Sequence, residues 1–424
     1  MIRFILKGIL RDSTRSKFPI LIVAIGVFFT VFMVAFLGGV FDDMIDLNAR
    51  FSTGHVKVMT VGFSENQAQN PLDLAILDLD SLTAHLERQY PKMIWVPRIH
   101  FGGLIDLADE DGETRGQGPA VGQALDLFSE NNSDIERLNI ASALRSGSVP
   151  KSAGDALISE EFADKTGLSV GDEITFFGST MYGSMSFQNF KVSGTISFGN
   201  PSLDRGGFII DISDARQMLD MENGATELLG YFDGNIYDDE LAEKITKEFN
   251  ATYSDSDDEF SPIMVTLKQQ NDLASLLDYA AYMQQIMVIV FIAAMSIVLW
   301  NVGLLGGLRR YKEFGVRLAL GESKSAIFKN MLIEAFLIGL IGSFLGTLIS
   351  LVVLIPLSIY GIDISGLLPD MTLMMPSTLR TVITPSIFYL GFIPGLGAML
   401  LGQALAGIGI FKRETSRLFK ELEV

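Results

Sequence analysis

Three histidines and no cysteine set narrow limits on side-chain chemistry. Without thiols, disulfides, thiolate metal sites and cysteine nucleophiles are excluded. His55, His85 and His100 are never three or four residues apart, so no helix face presents two imidazoles and no metal site is expected. Gly167-Leu168-Ser169-Val170-Gly171 fits the G-x-S-x-G pattern of a hydrolase nucleophile. That chemistry needs a strand before the serine and a helix after it. Here a helical pattern precedes and a strand pattern follows, so Ser169 is not expected to be catalytic. Asp255-Ser256-Asp257-Asp258-Glu259 lacks the glycine and the distant glutamate of a calcium loop and reads as a solvated turn. Gly321-Glu322-Ser323-Lys324-Ser325 shares letters with a phosphate-binding loop, but no G-x-x-x-x-G-K-[ST] spacing occurs. An enzyme is therefore not expected, and ATP hydrolysis would have to reside in another chain.

The elements that would carry function are set by hydropathy. Mean hydropathy is +0.34, and the apolar residues are segregated. Four long apolar runs, 18–40, 279–308, 331–362 and 381–411, are each long enough to cross a bilayer. The first is too long for a signal-peptide core and has no small-residue cleavage site after it. Pro385 and Pro394 are expected to kink the fourth run. The N-terminal segment carries Arg3, Lys7, Arg11, Arg15 and Lys17, the loop after the second run carries Arg309, Arg310, Lys312, Arg317, Lys324 and Lys329, and the tail 412–424 is also basic. Residues 41–275 hold 40 acidic against 16 basic residues. Positive charge marks the cytoplasmic side, so both termini and the 309–330 loop are expected inside. The 41–275 segment and the 363–380 loop are expected outside. Residues 1–17 intersperse Ile2, Phe4, Ile5, Leu6, Ile9 and Leu10 with bases and read as an amphipathic helix on the inner leaflet. Membrane lipid is thus a partner; nucleic acid is not.

The fold class is a membrane α-helical protein of four transmembrane helices with a large mixed α+β domain inserted between helices 1 and 2. That domain is expected to form two subdomains, with about 110–205 inserted in the other. Strands are expected over 54–59, 94–107, 173–177, 187–198 and 207–211, and helices over 80–90, 156–166, 211–221 and 237–249. The stretch 178–187 joins two strands yet carries Met181, Tyr182, Met185 and Phe187. Apolar side chains on an exposed tip mark a docking surface; the alternative is that they fold back onto the core. Met371, Met374 and Met375 in the outer loop border a hydrophobic substrate path or pack on headgroups. Small-xxx-small patterns at Gly342–Gly346, Gly391–Gly395 and Ala398–Gly402 predict close helix packing, within the chain or in a dimer.

The loop after the second run reads Glu313-Phe314-Gly315-Val316-Arg317, then Ala319-Leu320-Gly321, then Leu332 and Glu334. This pattern resembles the signature of FtsX-like permeases, the superfamily of lipoprotein-releasing and macrolide-exporter-type ABC transporter membrane subunits. Thr53-Gly54-His55-Val56 is similar to the lipoprotein-releasing members. The resemblance implies a bacterial inner-membrane protein that works by mechanotransmission. Glu313, Phe314, Gly315, Val316, Arg317 and Gly321 would form the ATPase-coupling element, seated on a cytoplasmic ABC ATPase dimer that binds ATP and Mg, while this chain holds no cofactor. A second permease copy or paralogue and a periplasmic carrier or adaptor would be further partners. The substrate would be hydrophobic or lipidated, lipoprotein first. Tripartite efflux and a signal relay activating cell-wall hydrolases are the alternatives. Two departures stand out: the tail 413–420 has no proline, and the 178–187 loop has none either, where lipoprotein-releasing relatives carry a proline-bearing hook.

Overall fold

The computed structural model describes residues 13–108, 114–129, 134–235, 237–255, 257–270, 273–364, 372 and 378–412. The amphipathic segment expected at 1–17, all but its last residues, and the tail beyond 412 lie outside them. The chain divides into two compact units, one of residues 1–42, 278–362 and 379–424, the other of 43–277 and 363–378.

The first helix, α1 (Ser13–Asn48), runs eight residues past the end of its apolar stretch and closes in a π-helical turn, Ala49–Thr53. Gly54 stops it at φ 61°, where a Cβ would meet the Val56 carbonyl oxygen at 2.6 Å. The chain then enters β1 (Val56–Thr60), α2 (Leu79–Gln89), β2 (Ile94–Ala108), β3 (Thr114–Leu125), β4 (Leu144–Gly147), β5 (Asp155–Ser159), α3 (Glu160–Thr166), β6 (Glu173–Ser179), β7 (Met185–Ile196), β8 (Gly207–Asp211), α4 (Ile212–Met218), β9 (Glu227–Tyr231), α5 (Asp239–Tyr253) and β10 (Pro262–Thr266). Caps explain most helix starts: Ser159, Asp211 and Asp238 each accept a first-turn N–H. Around Ser169 a helix precedes and a strand follows, the wrong order for a nucleophile elbow.

The ten strands form a single sheet in the order β10-β1-β9-β2-β3-β8-β5-β7-β4, with β6 joined to β2 and β7. The two expected subdomains, with about 110–205 inserted in the other, share this sheet through β2, which is 15 residues long. Its first half pairs with β9, and its second half pairs with β3 and β6, so one strand stitches both halves together. The main core lies under this sheet, with Phe101, Phe176, Phe190 and Phe208 in edge-on and stacked contacts. A smaller core gathers Phe51, Leu127, Ile140, Phe198 and Ile209. At the sheet's end, the Asn250 side chain bonds both the N–H and the C=O of Met264 on β10, and so blunts an edge that could recruit another strand.

The membrane unit continues with α6 (Leu273–Leu308), α7 (Tyr311–Ala319), α8 (Lys324–Tyr360), α9 (Ile387–Leu390), a π-helical turn at Ile393–Ala398 and α10 (Met399–Lys412). Among the described residues, four helical stretches are long and apolar enough to cross a membrane: Lys17–Thr53, Ala281–Leu308, Lys324–Tyr360 and Ile387–Ile408. The third starts seven residues before the expected 331, because Ser323 caps it by accepting the Ala326 N–H. The fourth starts later than the expected 381. Pro385 disfavours helix at Thr384; the preceding chain instead lies extended along α1, where the Val382 N–H donates to the Ala35 carbonyl at 3.1 Å. The small-residue faces serve packing within the chain: a Cβ on Gly346 would lie 2.5 Å from the Ala24 carbonyl oxygen, and one on Gly402 2.4 Å from that of Trp300. In contrast, α6 turns Tyr282, Ile286, Ile289, Val290 and Ile297 outward, an apolar surface suited to lipid.

Candidate functional site

The short helix α7 carries the first site. Its apolar residues sit three and four apart, so Tyr311, Phe314 and Gly315 share a buried face. Phe314 packs with Ile327, Met331 and Ala406, and the Tyr311 hydroxyl donates to the Ala406 carbonyl at 2.6 Å. Both contacts hold α7 against α8 and α10. Arg310, ahead of the helix, reaches Glu334 on α8 at 2.5 Å and Glu313 at 3.3 Å, and its guanidinium lies 5.5 Å over the Phe314 ring. Burial works against the Arg310 charge, but Glu334 and Glu313 overcome it and raise its pKa. Glu334 is thus half of an ion pair at the base of α8. Glu313 in the first turn and Arg317 in the last each complement the helix dipole and pair with each other at 3.3 Å.

The helix ends in a Schellman motif. The Glu322 N–H bonds the Arg317 carbonyl and the Gly321 N–H bonds the Leu318 carbonyl, both at 3.0 Å. Gly321 takes φ 90°, a conformation that L side chains rarely adopt. This geometry turns the other face out: Leu320 is 83% exposed and Val316 50%, against 1% for Phe314. Sequence reasoning named Glu313, Phe314, Gly315, Val316, Arg317 and Gly321. The structure gathers them on one helix and its cap, but splits them between bracing and display. It adds Leu320, Arg310 and Tyr311. The signal for Leu320 was its place beside the capping glycine.

A second candidate site is the tip between β6 and β7. The Thr180 N–H bonds the Ser184 carbonyl at 2.8 Å, and Gly183 turns the chain at φ 78°. Two bonds pin the tip to the end of α4: Met181 N–H to Leu219 O at 3.0 Å and Ser186 Oγ to Met218 O at 2.6 Å. Tyr182, Met185 and Phe187 are 75%, 85% and 72% exposed. Met181 is not part of that display: its side chain turns into the main core and is 8% exposed. Clefts of about 550 and 430 Å³ flank Tyr182, one walled by Gln69, Asn70 and Asp73, the other by Leu77, Asp220 and Glu222. Phe187 stands opposite Phe177 on β6, and Phe177 opposite Leu104 on β2; all three are exposed. Sequence reading missed Phe177 and Leu104, whose outward positions follow from the strand alternation of Phe176 and Ile105 inward. Met371, Met374 and Met375 lie outside the described residues.

Charges buried in the inserted domain do no visible chemistry but fix the sheet. Lys57 meets Glu227 at 2.8 Å, and His100 and Gln67 complete the carboxylate's shell. Burial pushes the Glu227 pKa up, but Lys57 and His100 offset this and hold it well below the usual carboxylate range. Arg98 forks onto Asp134, which Arg137 also contacts. His55 is buried, accepts the Phe232 N–H at Nδ1, and has its pKa lowered to about 4 by burial first and by Arg50 second. Among the described residues no group of three or more His, Asp or Glu is placed to hold a metal ion.

Apolar helices long enough to cross a membrane, together with a large domain built on a mixed sheet, define a polytopic membrane protein. The MacB-like periplasmic core domain family matches residues 19–278, more than half of the chain, and the FtsX-like permease C-terminal family matches residues 285–415. The chain belongs to the FtsX-like permeases, whose members are ABC transporter membrane subunits that generally work with a cytoplasmic ABC ATPase and are generally not catalytic themselves. The crystal structure of the periplasmic region of MacB from Actinobacillus actinomycetemcomitans is similar at 11% identity and a TM-score of 0.36, over 54% of this chain and 95% of that one. No curated protein matches this sequence.

Proposed function

We propose that this chain is the inner-membrane permease subunit that transmits ATPase motion, by mechanotransmission, to a periplasmic domain that extracts a lipidated substrate, lipoprotein first. Both termini and α7 then face the cytoplasm, and α7 is the element seated on the ATPase. The observation that carries the reading is the division of α7. One face is locked by Tyr311, Phe314 and the Arg310–Glu334 pair, while Val316 and Leu320 stand free on the other. An apolar edge on a rigid helix in water is a docking surface. Its bracing lets an ATPase push α8 and α10 rather than only bend a loop, so that nucleotide binding biases a rigid-body equilibrium.

Outside, the tip at Tyr182, Met185 and Phe187 would dock the periplasmic carrier. Tripartite efflux stands as the second reading, and the match to a MacB-like core domain favours it. Depletion of the chain in cells tests the choice. The lead reading expects lipoproteins retained in the inner membrane, with photo-crosslinks from Tyr182 to a small soluble carrier. Correct lipoprotein sorting together with crosslinks to a membrane-anchored adaptor would overturn it in favour of efflux.

A further inference from the structure

Three residues of the π-helical turn Ala49–Thr53, at the outer end of α1, are each held by a different part of the inserted domain. The Arg50 carbonyl accepts the Tyr231 hydroxyl of β9 at 3.0 Å. Phe51 plugs the smaller core and meets the Phe198 ring edge-on at 6.5 Å. The Thr53 carbonyl accepts Nε2 of Gln270 at 3.0 Å. Gly54 lies against β9 and closes the turn by donating to Ala49. Gln270 is buried three residues ahead of Leu273, where α6 begins. Its Nε2 also donates to the Thr266 carbonyl at 3.2 Å, so two carbonyls fix which end of the amide is nitrogen.

The joint carries hydrogen-bonding capacity that this state leaves unused. Among the described residues, the buried Oε1 of Gln270 meets no donor. His55, one residue past Gly54, accepts at Nδ1 and so bears its proton on Nε2, which meets no acceptor. Unsatisfied buried groups are costly, and π-helical turns are rare and frequent at functional sites. We infer that Gln270 is a positioning residue: its amide ties the outer end of α1 to the lead-in of α6, and the π-turn is the joint that repacks when the transporter changes state. This rests on the mechanotransmission reading and names the residues through which it would act.

The test is hydrogen exchange of the full chain in nanodiscs with its cognate ATPase, with and without ATP. In the wild type, amides of residues 50–55 should change protection between the two nucleotide states. Gln270→Met and, from the opposite side, Tyr231→Phe should each speed exchange there by roughly tenfold and make it insensitive to ATP. The strands β3 and β8 should keep their protection, ATP hydrolysis should continue, and substrate release should fall. Unchanged protection of 50–55 in both variants, or equal protection in the two nucleotide states of a wild type that releases substrate, overturns the joint. Failure of mechanotransmission itself reads differently: ATP then changes exchange nowhere in residues 43–277 of a transporting complex.

Discussion

Leu320 offers the sharpest test of the coupling helix, because its two possible roles predict opposite results. The side chain is 83% exposed and touches little of its own fold. Truncation to alanine should therefore leave folding stability within about 0.5 kcal/mol of wild type. If Leu320 instead sinks into a groove of the ATPase, the change removes three carbons from that interface. At about 0.8 kcal/mol per buried methylene the loss is roughly 2.4 kcal/mol, or about 50-fold in affinity. Phe314→Ala is the control with the reverse pattern, since that ring lies inside the cluster of Ile327, Met331 and Ala406. It should cost about 3–5 kcal/mol in the fold of the membrane unit. The assay titrates purified permease in nanodiscs with its cognate ATPase and follows thermal unfolding of the same samples. Leu320→Ala binding within twofold of wild type would refute the docking role. So would a loss of melting temperature as large as that of Phe314→Ala.

Gly315→Trp places an indole on the buried face of α7, so substrate-coupled ATP turnover should vanish while membrane insertion, followed by fractionation, stays intact. His55 predicts a pH dependence. Its folded pKa lies near 4 against 6.5 for an unfolded histidine, so the unfolded state takes up the proton first. The stabilisation is complete above pH 6.5 and is lost as pH falls toward 4, by about 3 kcal/mol in all. Between pH 7 and 5 the wild-type domain should lose about 2 kcal/mol more stability in urea unfolding than His55→Asn, whose amide oxygen can still accept the Phe232 N–H. Equal losses would discard the buried neutral histidine. Tyr182→Ser combined with Phe187→Ser should leave the melting temperature unchanged yet abolish carrier crosslinking; a stability loss instead would mean that the tip belongs to the core.

Legibility in the sequence followed the physics of each element. Strand β8 and helix α3 were readable, because Val/Ile-rich runs and capping residues mark them locally. Strand β3 was not. Its Gly116, Gly118, Pro119 and Gly122 give no local strand signal. Yet a Cβ on Gly118 would meet the Phe162 ring at 2.6 Å, and one on Gly122 the Phe101 ring at 2.1 Å. These glycines admit rings from neighbouring elements, a tertiary demand that no local pattern announces. Strand β9 hid for a related reason: Glu227 lies in its fully buried run, neutralised by Lys57 170 positions away along the chain. On α7 the amphipathic residue types were legible and the split between its buried and exposed faces was not, because which face of α7 is covered depends on α8 and α10.

The two apolar tips share one construction. On α7, Tyr311, Phe314 and Arg310 fix the helix so that Leu320 stands out. At the β6–β7 turn, the Met181 N–H and the Ser186 hydroxyl fix the backbone so that Tyr182, Met185 and Phe187 stand out. In both, polar groups spend their hydrogen bonds inward and leave apolar side chains outward, the reverse of an ordinary surface. Docking costs less when the docking groups are already ordered, and a force applied to a braced tip moves the elements behind it. A floppy apolar loop would bind as well by area alone but would absorb the motion. On the proposed function the inward bonds matter as much as the exposed side chains do, and removing the Tyr311 hydroxyl should weaken coupling more than it weakens ATPase binding.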